Sequence, residues 1–588
     1  PLLAAHADAI WLDRRLFGRV KAIFDQLASL GLDAEAKQLV KVTYEAFERS
    51  GVRLEGQGHE RLKALNAELS TLETGVAQKL LAGAKSSAFV VDSEAQLAGL
   101  SAQEIAAAAE DAKSRGLEGQ WRLPLANFTQ QPVLAKLEDR SVREALYRRS
   151  WERAEQGDEN DTRATILQIA ALRTCKATLL GHESFAAYAL QDQMASTPAT
   201  AQAFLGELAG PTRAAIEAES QALQALIADD GQNFALEPWD WEIYAERLRK
   251  QRFDLNKDEL EPYLALDRVL KDGLFHVAER LYGLFLKPRT DLPVYHPDVE
   301  VYEVFDEDAS AIGLIYFDFF KRDSKRGGAW MGNFVEQSKL LGTRPVVYNV
   351  CNFTKPAPSQ PALLSLSDVA TLFHEFGHGL HGLFADQEYP TLSGTNVARD
   401  FVELPSQFNE HWALHPDVLR RYAIHHETGE PMPDELIERI GVVARFNQAY
   451  AMGEILAAAQ LDMQWHSLGG EADIGDVDAF EAEALKAAGV DFGAVPPRYR
   501  SSYFQHIWTG SYAAGYYAYL WAEMLDVDAY HWFLEHGGLT RENGQRFRDL
   551  ILSRGHSGDY GEMFRAFYGR DPDIGPMLEH RGLQPSAN

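Results

Sequence analysis

The sequence is short of cysteines, of basic residues and of long apolar runs, and each shortage bears on what the protein can be. Of 588 residues only Cys175 and Cys351 are cysteine, so we expect neither a disulfide framework nor a thiolate metal cluster. Asp plus Glu outnumber Lys plus Arg by 86 to 57, and the formal charge of −29 argues against a nucleic-acid partner or an anionic membrane. Runs of about 18 apolar residues are absent, so no membrane span is predicted.

The start of the chain and its cysteine content bear on location. The sequence begins PLLAAHADAI rather than with methionine, and we expect residues upstream of Pro1, where a targeting segment would be hidden. Low cysteine usage fits a reducing compartment. We therefore expect a cytoplasmic protein and keep a periplasmic one as the alternative.

Apolar residues recur at helical spacing over most of the chain. The first part predicts helix after helix, beginning with one that runs from His6 to a stop at Gly31. The pair Ser101 and Glu104 predicts a capping box at the start of another helix. We divide the chain into an N-terminal helical region, 1–135, and a larger region, 136–588, whose lobes we expect to be built from discontinuous segments.

A small sheet is predicted near residues 295–355, inside this helical chain. Short segments rich in Val, Tyr and Phe are separated there by Gly, Pro and charged turns. The predicted strands lie in PVYHPDVEVYEVFD, AIGLIYFDFF, GGAWMGNFV and RPVVYNVCNF. The predicted fold class is therefore mainly α with a small β-sheet.

The segment SDVATLFHEFGHGLHGLFA carries histidines inside one helical pattern. Ser365 and Asp368 predict a capping box, and the apolar residues that follow recur at steps of three and four. Because residues four apart lie one turn above each other, His374 and His378 can direct their imidazoles at one ion. This H-E-x-x-H pattern on a helix predicts a zinc site.

A downstream acid, Glu403, is the predicted third ligand. The pattern with a third histidine would need Gly at 381 and His at 384, where this chain has His381 and Phe384. Three protein ligands leave the fourth position open for water, which is typical of a catalytic zinc site. Asp400 and Gln407 do not bind the metal themselves, but they are candidates to orient one of its ligands through a hydrogen bond.

Such a site activates water. Zinc lowers the pKa of its bound water to about 7, and Glu375, beside the ligands but not one of them, would accept a proton from that water and pass it to the leaving amine. Gly377 and Gly379 are poor helix formers, and we expect another backbone or a substrate to approach closely there. The alternatives are a helix without metal and a structural zinc site, in which His381 would be a ligand only if the helix bends.

Several long segments resemble the thimet oligopeptidase family of zinc metallopeptidases, most closely its bacterial peptidyl-dipeptidases. These segments are FHEFGHGLHGLF, SGTNVARDFVELPSQFNEHW, SSYFQHIWTGSYAAGYYAYLWAEML, RDSKRGGAWMGNF and RPVVYNVCNFTKP. The resemblance covers nearly the whole chain, without the family's first several dozen residues. It implies a zincin-type, two-lobed helical protein whose deep channel admits short unfolded peptides. By position, His374, His378 and Glu403 match the family's zinc ligands and Glu375 its catalytic base.

The segment HIWTGSYAAGYYAYLW carries further groups that the resemblance implies. His506, Tyr512 and Tyr519 match positions that bind substrate and stabilise the transition state, and Tyr516 is a further substrate-binding candidate. A phenol is a neutral donor at pH 7 and can reach an oxyanion. The alternative is an aromatic packing helix.

Glycines near these motifs predict close approach or movement. RGGAWMGNF predicts an edge strand at which Gly327 and Gly328 would admit a substrate backbone, although an ordinary edge strand with a bulge would use glycine too. Gly510 and Gly515 would let the tyrosine segment move over the substrate.

Release of a C-terminal dipeptide requires recognition of the free carboxylate. Arg498 and Arg500, just upstream of His506, are the candidates, because a guanidinium suits a carboxylate well; surface arginines are the alternative.

We therefore predict a zinc-dependent peptidyl-dipeptidase, a monomer acting on short peptides with a free C-terminus. The alternatives are an oligopeptidase that cleaves internal bonds and an inactive peptide-binding protein, against which the retained Glu375 argues.

Overall fold

Helices form most of the computed structural model, which describes residues 2–86, 88–253, 257–322, 324–325, 328–356, 360–470 and 474–584. The α-helices from the N-terminus to the start of the large sheet are α1 Leu2–Trp11, α2 Arg14–Phe24, α3 Ala34–Arg49, α4 Gly56–Ser86, α5 Ala102–Lys113, α6 Arg140–Trp151, α7 Arg163–Leu179, α8 Phe185–Ala189, α9 Pro198–Asp229, α10 Pro238–Phe253, α11 Lys257–Leu260, α12 Leu266–Arg268 and α13 His276–Tyr282. A π-helical stretch, Val269–Phe275, joins the last two.

The helices resume after the sheet and continue to the C-terminus. They are α14 Leu366–Leu383, α15 Arg399–Val402, α16 Leu404–Ala413, α17 Pro416–Tyr422, α18 Asp434–Val443, α19 Gln448–His466, α20 Val477–Ala487, α21 Gln505–Trp508, α22 Ala518–Glu535, α23 Arg541–Phe547, α24 Tyr560–Tyr568 and α25 Ile574–His580. The described helices alternate with short turns, so the mainly α class predicted from periodicity is confirmed.

Two sheets interrupt the helices. Their strands are β1 Phe89–Val91, β2 Trp121–Leu123, β3 Phe285–Pro288, β4 Glu300–Phe305, β5 Ala311–Phe320, β6 Trp330–Val335 and β7 Val346–Phe353. The larger sheet has the order β3-β4-β5-β7-β6, antiparallel except where β5 and β7 run parallel. The four predicted strands are β4 to β7, and β6 lies at an edge, as predicted.

The long apolar face of α14 lies on this sheet. A Cβ at Gly379 would come 3.2 Å from Ile315 of β5, and one at Gly382 would come 2.7 Å from Met331 of β6 and 2.9 Å from Val347 of β7. Glycine therefore lets the helix approach the strands closely. The sheet therefore sets the distance at which α14 packs against β6.

The sequence-based description of the first part of the chain needs two corrections. The helix predicted from His6 to Gly31 is broken at Leu12, because Asp13 accepts hydrogen bonds from the backbone N–H groups of Arg15 and Leu16 and starts a new helix. The two-stranded antiparallel sheet of β1 and β2, which encloses α5 in sequence, was not predicted at all.

Apolar packing joins distant parts of the chain. One cluster of buried side chains runs from Leu69 in α4 to Leu583 beyond α25. A smaller cluster includes residues on both sides of the predicted division at 135/136, among them Leu134 and Val142. That division stays a prediction. Among the described residues, no helix is long and apolar enough to cross a membrane.

Candidate metal centre and the tyrosine segment

The helix α14 begins with the predicted capping box. The Ser365 hydroxyl accepts from the backbone N–H of Asp368 at 3.1 Å, and the Asp368 carboxylate accepts from the backbone N–H of Ser365 at 3.0 Å. Two of the backbone N–H donors at the helix start are thereby satisfied. The two histidines then follow on the helix, one turn apart, with their ring centroids 5.0 Å apart.

Close contact between α14 and α16 brings the predicted third ligand to the histidines. A Cβ at Gly377 would lie 2.5 Å from the carbonyl oxygen of Pro405 and 2.6 Å from Cα of Ser406. The glycine predicted to admit another backbone therefore does so, and that backbone belongs to α16. Glu403 immediately precedes this helix, so its position follows from the contact.

The three predicted ligands converge. Oε2 of Glu403 lies 3.4 Å from Nε2 of His374 and 3.1 Å from Nε2 of His378. One donor atom from each of the three residues falls within 4.8 Å of the others. Two imidazole nitrogens and one carboxylate oxygen form a donor set that suits a divalent cation such as zinc. The residues therefore fit the metal that the sequence pattern implies.

Glu410, which sequence reasoning missed, orients the first histidine. Nδ1 of His374 donates to Oε1 of Glu410 at 2.6 Å, so the lone pair of Nε2 faces Glu403. Glu410 lies on α16 two turns after Glu403, and this seven-residue spacing on one helix face was the available signal.

Neither residue predicted to orient a ligand does so. Asp400 accepts hydrogen bonds from the backbone of Met194 and Ala195 and from the Tyr517 hydroxyl, and these three donors hold it away from the histidines. The Gln407 amide instead contacts the carbonyl oxygen of Tyr519 at 3.4 Å.

Glu375 sits beside the three ligands and is 4 % exposed. Its backbone carbonyl accepts from the Asn349 amide at 2.6 Å, whereas its side-chain Oε2 has no hydrogen-bond partner among the described residues. Burial raises the pKa of this carboxyl above its ordinary value, and His374 and His378 oppose the shift. A buried carboxylate with a free oxygen can accept a proton from a bound water.

The predicted tyrosines and His506 gather next to Glu403. The Tyr512 hydroxyl is 3.5 Å from Oε1 of Glu403, and its ring stacks on that of Tyr519 with centroids 5.2 Å apart. Tyr516 meets Tyr519 edge-on at 5.2 Å and His506 at 5.4 Å.

The environment of these rings favours their uncharged forms. Burial, with Glu403 nearby, raises the pKa of Tyr512 to about 12, and burial raises the pKa of Tyr519 further. Both phenols therefore keep their protons at neutral pH. Burial lowers the pKa of His506 below its ordinary value.

The two candidate arginines differ. Arg500 is 4 % exposed, and its guanidinium donates to the carboxylates of Glu155, Asp478 and Glu481. The protein itself occupies its three nitrogens, so the prediction that Arg500 receives a substrate carboxylate is corrected. Arg498 donates to Glu454 through Nη1 alone.

Arg498 also lies beside the aromatic groups of the site. Its guanidinium lies over the rings of Phe128 and Tyr499, and Tyr499 packs against His506 at 4.9 Å. About a third of the Arg498 side chain, 31 %, is exposed. A second anion could therefore reach this guanidinium.

The glycines have varied surroundings. Gly328 adopts φ +85°, and space is open where its Cβ would be, whereas Gly327 lies outside the described residues. A Cβ at Gly510 would lie 2.8 Å from the carbonyl oxygen of His506, and one at Gly515 would lie 2.4 Å from the Arg399 guanidinium. Tight packing explains the last two, and their hinge role stays a prediction.

Of two cavities, one borders the tyrosine segment and the other does not. One of about 600 Å³ borders the tyrosine segment at Gly510, Ser511 and Ala513. A larger one of about 1590 Å³ lies among α3, α9, α22 and α24, and within the described part of the chain none of the predicted site residues lines it. We therefore associate only the smaller cavity with the site, and the predicted substrate channel stays a prediction.

A helix with the H-E-x-x-H pattern, the carboxylate that converges on its histidines from the start of α16 and a second, buried carboxylate beside them define a metallopeptidase. The chain belongs to peptidase family M3, whose family model it matches over residues 133–583. The predicted family and enzyme class are thereby confirmed.

Curated relatives match almost the entire chain. Dipeptidyl carboxypeptidase of Escherichia coli (strain K12) is 53 % identical over 581 residues, which cover 99 % of this chain and 85 % of the relative. Oligopeptidase A of the same strain is 34 % identical over 596 residues, covering 99 % of this chain and 87 % of the relative.

Solved structures share the fold at low sequence identity. An M32 carboxypeptidase from Deinococcus radiodurans R1 superposes with a TM-score of 0.53 at 13 % identity, over 99 % of this chain and 89 % of that one. The structure of PZ peptidase A with an inhibitor superposes at 0.51 with 15 % identity, over 96 % and 83 %. These likenesses support the fold alone.

Proposed function

We propose that the protein is a zinc-dependent peptidyl-dipeptidase, which hydrolyses short peptides and releases dipeptides from their C-termini. The observation that carries the proposal is the convergence of His374, His378 and Glu403 beside a carboxylate oxygen of Glu375 that has no partner among the described residues. The 53 % identity to a dipeptidyl carboxypeptidase supports the choice of bond. Two free cysteines, Cys175 and Cys351, fit action in the cytoplasm.

The chain's own groups divide the work of hydrolysis. Zinc held by the two histidines and Glu403 would polarise the scissile carbonyl and make water more acidic. Glu375 accepts the proton of the attacking water and delivers it to the leaving amine. The hydroxyls of Tyr512 and Tyr519 donate to the oxygen on which negative charge develops.

Further groups bind the substrate. Arg498 receives the terminal carboxylate through the donors that Glu454 does not use. Tyr516 and His506 line the adjoining surface, where the rings are in edge contact. Gly328, at the approach to β6, leaves room for a peptide backbone to pass.

Product analysis on a defined decapeptide tests the proposal. We expect mass spectrometry to show successive losses of two residues from the C-terminus, because binding of the substrate's terminal carboxylate determines which peptide bond is cleaved. A chelator should stop the reaction and added Zn²⁺ should restore it, with Mn²⁺ and Co²⁺ as comparison ions. A first cut at an internal bond would assign the protein to the oligopeptidases instead, and an unchanged peptide with Zn²⁺ present would refute both.

Replacing Arg498 with glutamine should remove the preference for a free C-terminus. A hydrogen bond to a charged group contributes about 1.5–3 kcal/mol, so kcat/KM for the free acid should fall by about 10- to 100-fold. The rate on the matching C-terminal amide should barely change. The comparison is made by steady-state kinetics on the two peptides.

The matched control for Arg498→Gln is Glu454→Gln. It breaks the same ion pair but leaves the guanidinium in place, so it should keep the preference for the free acid. If Arg498→Gln still discriminates between acid and amide as the unchanged protein does, the carboxylate binds elsewhere.

A further inference from the structure

A buried chain of charged and polar side chains lies behind the tyrosine segment and has no part in the chemistry proposed above. Nη2 of Arg173 donates to Glu73 at 2.8 Å, and Nη1 of Arg173 lies 2.8 Å from Nε2 of His466. Nδ1 of the same imidazole lies 2.7 Å from the carboxylate of Asp462. The arginine, the histidine and the aspartate are at most 3 % exposed.

The chemistry of these groups fixes the direction of the hydrogen bonds. A guanidinium can only donate, so Nε2 of His466 is the acceptor. Its proton therefore resides on Nδ1, which donates to Asp462. The same carboxylate accepts from the backbone N–H of Ala514 and from that of Tyr516, both at 2.9 Å. This series of hydrogen bonds therefore ends on the segment that carries the tyrosines.

The same network holds this segment at its other end. Nη1 of Arg173 also donates to the carbonyl oxygen of Ile507, at 2.6 Å. Residues 509–517 form turns between α21 and α22, and the cavity of about 600 Å³ borders them at Gly510, Ser511 and Ala513. Ala514 has φ +55°, a conformation that a residue with a Cβ keeps only where its surroundings enforce it.

We propose that Asp462 is a positioning residue for catalysis, which holds Tyr512 and its neighbours at the metal ligands through the backbone of Ala514 and Tyr516. His466 and Arg173 orient its carboxylate and connect the segment to α4. This inference rests on the proposed function. The competing explanation is a buried polar network that contributes to folding only.

A steady-state comparison separates the two explanations. In Asp462→Asn, an amide NH₂ would face one of the N–H donors, so the segment should shift. A displacement of about 1 Å near the chemistry can cost about 100-fold in rate, and we expect kcat to fall by about 10- to 100-fold with little change in KM. The control Asp240→Asn disrupts a similarly buried carboxylate, whose ion pairs with Arg140 and Arg143 do not involve residues 509–517, and it should keep its kcat.

A double-mutant cycle tests whether the effect acts through the tyrosine. In a Tyr512→Phe background, Asp462→Asn should cost less than threefold, because the hydroxyl that it positions is gone. Additive losses, or a kcat for Asp462→Asn equal to that of Asp240→Asn, would leave only a folding role.

A pair of variants at His466 tests the same series of hydrogen bonds if Asp462→Asn does not fold. His466→Asn places an amide where Nδ1 was and should retain the bond to Asp462, whereas His466→Gln places its amide where Nε2 was. We expect kcat of the glutamine variant to lie at least about tenfold below that of the asparagine variant. Equal values would contradict the proposal.

A readout that does not need catalysis separates this inference from the proposed function. Hydrogen exchange followed by mass spectrometry should show faster exchange in peptides covering residues 509–517 of Asp462→Asn or His466→Gln, and unchanged exchange in α14. If no peptide is hydrolysed but exchange changes in this way, the proposed function fails and the positioning network stands. Unchanged exchange at 509–517 would overturn the network itself.

Discussion

Replacing Glu375 with glutamine is expected to lower kcat by about two to four orders of magnitude while the metal stays bound. A general base contributes about 10²- to 10⁴-fold, and glutamine has the same shape but cannot take a proton. Glu375 is 4 % exposed and its Oε2 has no partner among the described residues, so this oxygen is free to accept a proton from a bound water. Steady-state kinetics on a short peptide and metal analysis by mass spectrometry measure the two quantities.

A matched variant on the same helix controls for damage to α14. Asp368→Asn weakens the capping box and should lower thermal stability without lowering kcat. A kcat for Glu375→Gln within tenfold of the unchanged protein would exclude Glu375 as the base.

The second large effect is expected at Glu403, the proposed third ligand. Glu403→Gln removes the anionic donor from a set whose other two members are neutral imidazoles, so metal affinity should fall by more than about 100-fold and activity should fall with it. Glu410→Gln changes only the partner of His374, and loss of such a partner costs about 10- to 100-fold in affinity. Competition with a chromogenic chelator measures both affinities.

The order of these two effects is the decisive result. Glu403→Gln should be the more damaging of the pair. If it binds metal as tightly as the unchanged protein, Glu403 is not a ligand, and if Glu410→Gln is the worse variant, the two carboxylates have been assigned the wrong roles.

Local patterns in the sequence were enough to predict the helix and the group of His374, His378 and Glu403 that converges in the structure. The capping box at Ser365 and the step of four between His374 and His378 are short-range features, and backbone geometry dictates what they produce. The strands β4 to β7 were found for the same reason, since each is a run of β-branched and aromatic residues between turns. Glu403 was predicted as a ligand for two reasons: it is an acidic residue downstream of the motif, and the position of a third histidine ligand holds Phe384 instead.

Features that depend on distant contacts were missed. Nothing near Asp462 in sequence indicates that its carboxylate meets the backbone of Ala514. Arg500 was nominated from its position alone, but burial among three carboxylates supplied by α20 and the turn after α6 decides its role. The strands β1 and β2 have three residues each, which is too short for a periodic signal.

The absence of a Cβ at Gly377 has a consequence for how related proteins can be recognised. Contact between α14 and α16, not the length of the link between them, sets the alignment of Glu403 with the histidines. The link has exposed points at Asp386 and Thr391, and lengthening a loop is cheap in entropy. A search for such chains should therefore let the gap between the two motifs vary and require a glycine three residues after the first histidine.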